Sequence, residues 1–192
     1  MKIHYSSFLK TRVNQQGVAV VEFALVVIPL LLLLLGAMEF GRLMFVWNTV
    51  QEVTRNAARQ AVVTDFTSTS EIAAIKHSAL FSSGSLPAYT DIKNASVNIR
   101  YLNSSGAVAS PIPTSPSDNI AACLDATRIA ECIRFVEVCI STGDTCDRNQ
   151  SMPFIPMIAL FSKSGDYSTD LTGVKIPLST VRMPAESLGF SP

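Results

Sequence analysis

The sequence predicts an α+β protein: a long N-terminal transmembrane α-helix running on into a small head made of a short helix and an antiparallel β-sheet. Three observations predict it. An apolar run of membrane-crossing length lies near the N-terminus, helical periodicity continues beyond it, and short strand signatures then alternate with turn residues. At 192 residues the chain has room for one modest domain plus a membrane segment. Its 15 basic and 15 acidic residues balance, which argues against a polyanion binder and against a nucleic-acid partner. Only 16% of residues are charged and the mean hydropathy is +0.32, an apolar excess concentrated in one place.

That place is Val18–Met38, VAVVEFALVVIPLLLLLLGAM, with Glu22 as its one charge. As a helix it rises roughly 30 Å at about 1.5 Å per residue, enough to cross a bilayer core. Residues 1–17 carry Lys2, Lys10 and Arg12 and no acid, so the positive-inside bias puts them in the cytoplasm and everything after Met38 outside. A cleaved secretory signal is the rival reading, but its apolar core is shorter, about 7–15 residues, and ends in a small-residue site. Leu35-Gly36-Ala37-Met38-Glu39 matches such a site poorly. Pro29 is tolerable mid-span because neighbouring helices or local adjustment satisfy the freed carbonyl. Glu22 is costlier. A carboxylate deep in lipid costs about 2.5–3.5 kcal/mol on insertion scales, so it needs a partner or must snorkel to the headgroups.

Beyond the span, Leu43, Val46, Val50, Val53, Ala57 and Ala61 recur at spacings of three and four, giving one apolar face. Glu52 and Arg55 form an i,i+3 pair on another face. One helix is therefore expected from Val18 to Val63, roughly 70 Å long at 1.5 Å per residue. Residues 39–66 are its extracytoplasmic continuation, packing on the head, with a parallel coiled-coil dimer as the alternative. The head occupies 67–192. Ser68 and Glu71 suit a capping box for a second helix over Ser70–Phe81, where His77 is a solvated surface residue. Ser82–Pro87 reads as a loop. Val97, Ile99 and Tyr101 alternate with Asn98 and Arg100 in a half-buried strand over 95–102. Asn103–Gly106 reads as a turn and the Pro/Ser/Thr-rich stretch Ser110–Asp118 as an exposed loop. Phe135–Ile140 is a second strand. Pro153–Phe161 fits a short helix or a loop on the sheet, and Val174–Met183 a third strand that Pro177 pushes to an edge or a bulge.

Cys123, Cys132, Cys139 and Cys146 contain no C-x-x-C pair, which removes zinc-ribbon and thioredoxin-like readings. Four clustered cysteines in an oxidising compartment fit two disulfides, with three connectivities open. Cys123–Cys132 with Cys139–Cys146 is favoured because both close short loops. If Arg134–Ser141 is a strand, Cys132 and Cys139 also project from opposite faces. Catalytic signatures are missing: there is no nucleophile elbow, phosphate loop, H-E-x-x-H helix or dinucleotide glycine pattern. His4 and His77 are far apart, Ser162–Gly165 is a turn, and Asp166 with Asp170 lacks a third ligand at calcium-loop spacing. Asp118, Asp125, Glu131 and Glu137 read as solvated charges. The chain is thus expected to have no enzymatic activity, metal, cofactor or small-molecule substrate.

Gly17-Val18-Ala19-Val20-Val21-Glu22-Phe23 resembles a type IV prepilin processing site: a short basic leader, a glycine, a glutamate five residues on, and an apolar span directly following. Val21–Val26, Pro29 with its leucine run, Glu39-Phe40-Gly41-Arg42 and Arg55-Asn56-Ala57-Ala58-Arg59 narrow the resemblance to the TadE-like pseudopilins. Ile176–Met183 is similar to that family's terminal strand, more loosely. The resemblance implies a pilin-like head and a minor pseudopilin of tight-adherence (Flp-type IV) pili, single-pass in the inner membrane with its C-terminal domain periplasmic, and compatible with a place at the pilus base or tip. It implies cleavage between Gly17 and Val18 by a prepilin peptidase, and partners among other pseudopilins and the Tad inner-membrane assembly platform. It also implies that Glu22, followed by Phe23, meets the new Val18 amine of a neighbouring subunit. Opposite charges about 4 Å apart attract by roughly 4 kcal/mol at an effective dielectric near 20. Two other readings stay open: a membrane-anchored periplasmic binding or sensor module whose Gly17 is never cut, and a secreted hydrolase with an uncleaved signal anchor.

Overall fold

The structure, a computed structural model, describes residues 16–157 and 173–190. The chain divides into two units, Met1–Met38 and Glu39–Pro192. The expected turn at Ser162–Gly165, the Asp166/Asp170 pair, His4 and the leader's basic residues lie outside the described residues.

Helix α1, Gln16–Ala61, belongs to both units and contains Pro29 without ending there. In the first unit none of its described side chains is buried. In the second, Val46, Val50, Val53, Ala57 and Ala61 are buried and form the spine of the core, with Leu43 packed against it. The three-and-four spacing thus serves head packing. Among the described residues, Glu52 and Arg55 form no ion pair. α1 stops at Ala61, slightly before the expected Val63, and the C-terminal segment takes up its free carbonyls. Glu186 N–H and Leu188 N–H donate to Val62 O at 3.2 and 3.1 Å, and Gly189 N–H to Val63 O at 2.9 Å. Gly189 has φ +86°, and a Cβ there would lie 2.6 Å from Asp65 backbone, so this close approach requires glycine.

α2, Thr69–Ala79, starts at Ser68, whose hydroxyl accepts from Glu71 N–H; this is one half of the expected box. A hairpin follows, β1 (Ser85–Leu86) with β2 (Tyr89–Lys93), where a loop was expected over Ser82–Pro87. Leu86, Tyr89 and Ile92 are buried, and these apolar anchors pair two strands too short to be recognised by pattern.

The main sheet has the order β3-β4-β5, all antiparallel: β3 Val97–Leu102, β4 Phe135–Ile140, β5 Thr180–Pro184. Its register decides the chemistry of its two faces. Ile99, Val138 and Val181 align, as do Tyr101, Val136 and Met183, and all of these join the core that includes α1. Asn98, Cys139 and Thr180 align on the opposite face, as do Arg100, Glu137 and Arg182. Burial pushes the Tyr101 phenol up to about 12, with Asp65 adding to the rise.

Three expectations need correction here. Glu137 is not a solvated charge: it is buried, accepting from Arg100 at 3.2 Å and from Arg182 at 2.9 Å on the flanking strands. Ser110–Asp118 is not all loop, because α3, Pro116–Leu124, begins inside it. Ser115 caps α3 by accepting Asp118 N–H at 3.1 Å, and Pro116 sits in the first turn, where its missing N–H costs nothing. The last strand starts at Thr180 rather than Val174. Before it, Lys175 bridges Pro153, and Ile176 N–H donates to Met152 O at 2.8 Å, so Pro177 falls in the connection. The described part of Pro153–Phe161 is the loop alternative and not the helix, with an isolated bridge at Pro153.

Both disulfides join cysteines within one local loop: Cys123–Cys132, Cα–Cα 4.8 Å, and Cys139–Cys146, Cα–Cα 5.7 Å. The first ties α3 to the approach of β4, beside Asn119, whose Oδ1 accepts Ile133 N–H at 2.8 Å. The second pins the loop after β4 over the polar sheet face, where Asn98 donates to Gly143 O at 2.6 Å. Replacing Cys139 and Cys146 together by Ala is expected to lower stability by about 2–3 kcal/mol on the chain-entropy account of a loop this short. Urea unfolding of the detergent-solubilised protein, compared with the parent, measures it.

Candidate processing and assembly site

The first turns of α1 carry Gly17, Val18, Glu22 and Phe23, all exposed. Val18 and Glu22 are four residues apart and so share one helix face, and a helical side chain leans toward the N-terminus. Val18 and Glu22 thus lie on one exposed face of the helix, one turn apart. Among the described residues, nothing beyond Gly17's own helical neighbours lies within 4 Å of where a Cβ on it would be, and the residue is helical. Neither packing nor backbone conformation demands glycine there. Glu22 is surrounded in sequence by Val20, Val21, Phe23 and Leu25, every one exposed. A surface this apolar has the length and composition of a single-pass membrane anchor.

The four cysteines belong to the other unit, each in its bridge, and add no reactive thiol. That unit has a polar centre which composition and motif search do not predict. Glu39 is 4% exposed and Arg42 13%. Arg42 donates to Glu39 Oε1 from Nε at 3.0 Å and from Nη2 at 2.6 Å. Two further hydrogens go to backbone: Nη1 donates to Ala88 O at 3.0 Å and Nη2 to Ile155 O at 2.5 Å. The guanidinium carbon lies 4.5 Å from the Phe154 ring centroid, and Phe154 stacks on Tyr89. Met157 N–H donates to the same Glu39 oxygen at 3.2 Å. Tyr89 Oη donates to Pro153 O and accepts from Ile155 N–H. Burial pushes the Tyr89 phenol up; the Ile155 N–H opposes, Asp91 adds, and Arg42 opposes. This cluster clamps the segment Pro153–Met157 onto α1. A sequence signal for it existed: an i,i+3 acid–base pair directly after a membrane-length apolar run, where a lone exposed pair would be worth little.

Fold and site together define a class: one apolar N-terminal helix, with the length and composition of a single-pass membrane anchor, joined to an α+β head closed by two disulfides. Residues 17–59 match the family model described as TadE-like protein, so the match starts at Gly17, lies wholly within α1, and takes in both Glu22 and the Glu39–Arg42 pair. No curated protein and no solved structure matches the chain.

Proposed function

We propose that this chain is a minor, TadE-like pseudopilin of a Tad (Flp-type IV) pilus, anchored in the inner membrane with its head in the periplasm and acting structurally in pilus assembly for adherence. On this reading a prepilin peptidase removes residues 1–17, and the Val18 amine of one subunit meets Glu22 of a neighbour. Sister pseudopilins and the inner-membrane assembly platform are its partners. The observation that carries it is the family match beginning at Gly17 and taking in Glu22, both exposed at the start of a long apolar helix. Removing the leader also removes Lys2, Lys10 and Arg12, the cytoplasmic anchors, which eases extraction from the bilayer. The two bridged cysteine pairs suit an oxidising periplasm.

Mass spectrometry of the protein extracted from membranes tests it: the mature chain is expected to start at Val18. Gly17→Ala should retain the leader. Because nothing crowds that position and alanine favours a helix over glycine by about 1 kcal/mol, a block in maturation would report lost recognition and not lost structure. A native chain that still carries residues 1–17 overturns the reading in favour of an uncut membrane-anchored module.

A further inference from the structure

We infer that the clamped segment Pro153–Met157 docks on the surface of the bilayer, seating Met157 and Ile155 at the boundary between headgroups and acyl chains. The inference rests on the reading that Val18–Met38 spans that bilayer. Within the segment, burial alternates sharply: Phe154 is 1% exposed and locked under Arg42, whereas Ile155 is 49% and Met157 71% exposed. Two large apolar side chains are thus held outward by a rigid backbone whose polar groups are already bonded to Arg42, Glu39 and Tyr89.

Their depth is set by the chain itself. Glu39 comes directly after Met38, the last residue of the apolar run, and its carboxylate accepts the Met157 N–H at 3.2 Å. Met157 therefore lies at the level of the first polar residue beyond the hydrocarbon. Phe40, 61% exposed, is one residue further along the helix. The charges at this level are spent internally on each other and on backbone carbonyls. The outward side is apolar, which suits an interface that takes apolar side chains without a complementary shape.

The test incorporates a benzophenone amino acid at position 157, 155, 32 or 124 of the full chain, reconstituted in phosphatidylethanolamine–phosphatidylglycerol vesicles. Adducts after illumination are identified by mass spectrometry. Leu32 lies within the span, and Leu124 is an exposed residue on α3. Lipid adducts at 157, 155 and 32, with their loss at 124, are the expected result. Lipid adducts at 32 but not at 157 or 155 overturn the docking inference and leave the spanning helix intact. Protein adducts at 157 in place of lipid assign the patch to a second copy of the chain and also overturn it. Failure to label lipid at 32 removes the spanning helix, and the docking surface with it.

Discussion

Arg42→Met is expected to destabilise the head by about 3–5 kcal/mol, the range for breaking a buried ion pair from one side. The reason is what remains behind. Glu39 is 4% exposed, and without the guanidinium its carboxylate keeps one backbone partner, the Met157 N–H. Ala88 O and Ile155 O lose their donor, and Phe154 loses the cation over its ring. Urea unfolding in detergent, followed by the fluorescence of the single Trp47, measures the loss. The double variant Glu39→Leu/Arg42→Met should recover most of it, because replacing a whole buried pair by apolar groups of similar size is often neutral. If Arg42→Met alone unfolds at the parent's urea midpoint, the clamp contributes nothing to the head. The double variant then has no loss to recover.

Glu22→Gln is expected to leave leader removal intact and to abolish incorporation into the assembly. Glutamine keeps the shape and one carbonyl acceptor but cannot carry charge, so it deletes the electrostatic term alone. That term is roughly 4 kcal/mol for charges about 4 Å apart at an effective dielectric near 20. Even a net third of it corresponds to about a tenfold loss of partner recovery, since about 1.4 kcal/mol is a factor of ten. Two measurements check the prediction: the N-terminal mass of the variant, and the sister subunits that co-purify after mild cross-linking in membranes. Normal processing with undiminished co-purification would show that the carboxylate is not paired with a neighbour's amine. Failure to process would assign Glu22 to peptidase recognition instead.

The long helix, its buried stripe and the strands β3 and β4 were legible because each is written in a local period. Val46, Val50, Val53 and Ala57 announce a helix face by spacing, and Val97, Ile99 and Tyr101 announce a strand face by alternation, whatever they pack against. α3 escaped because Ser115, Pro116 and Asp118 sit in a Pro/Ser/Thr-rich stretch. There a cap signature and a loop composition use the same residue types. β5 was placed too early because Val174 and Ile176 are apolar for a different reason. Ile176 is buried against the core in the connection, paired with the Met152 backbone and outside the three-stranded ladder. The pairing of each cysteine with its near neighbour was legible from loop length.

By itself the sequence determined the elements that depend on neighbours in the chain: an apolar helix of bilayer length, the glycine and glutamate at its start, the stripe that turns the same helix into the spine of the head, and the α+β character of that head. Only the tertiary structure decided the fate of the charges. Glu137 looked solvated until the register of three strands set it between Arg100 and Arg182. Glu39 and Arg42, three residues apart in the chain, become a buried centre only because residues more than a hundred positions away close over them. The physical reason is common to both. Backbone periodicity is a property of consecutive residues, whereas the free energy of a charge depends on what excludes water from it, and that is assembled from distant parts of the chain.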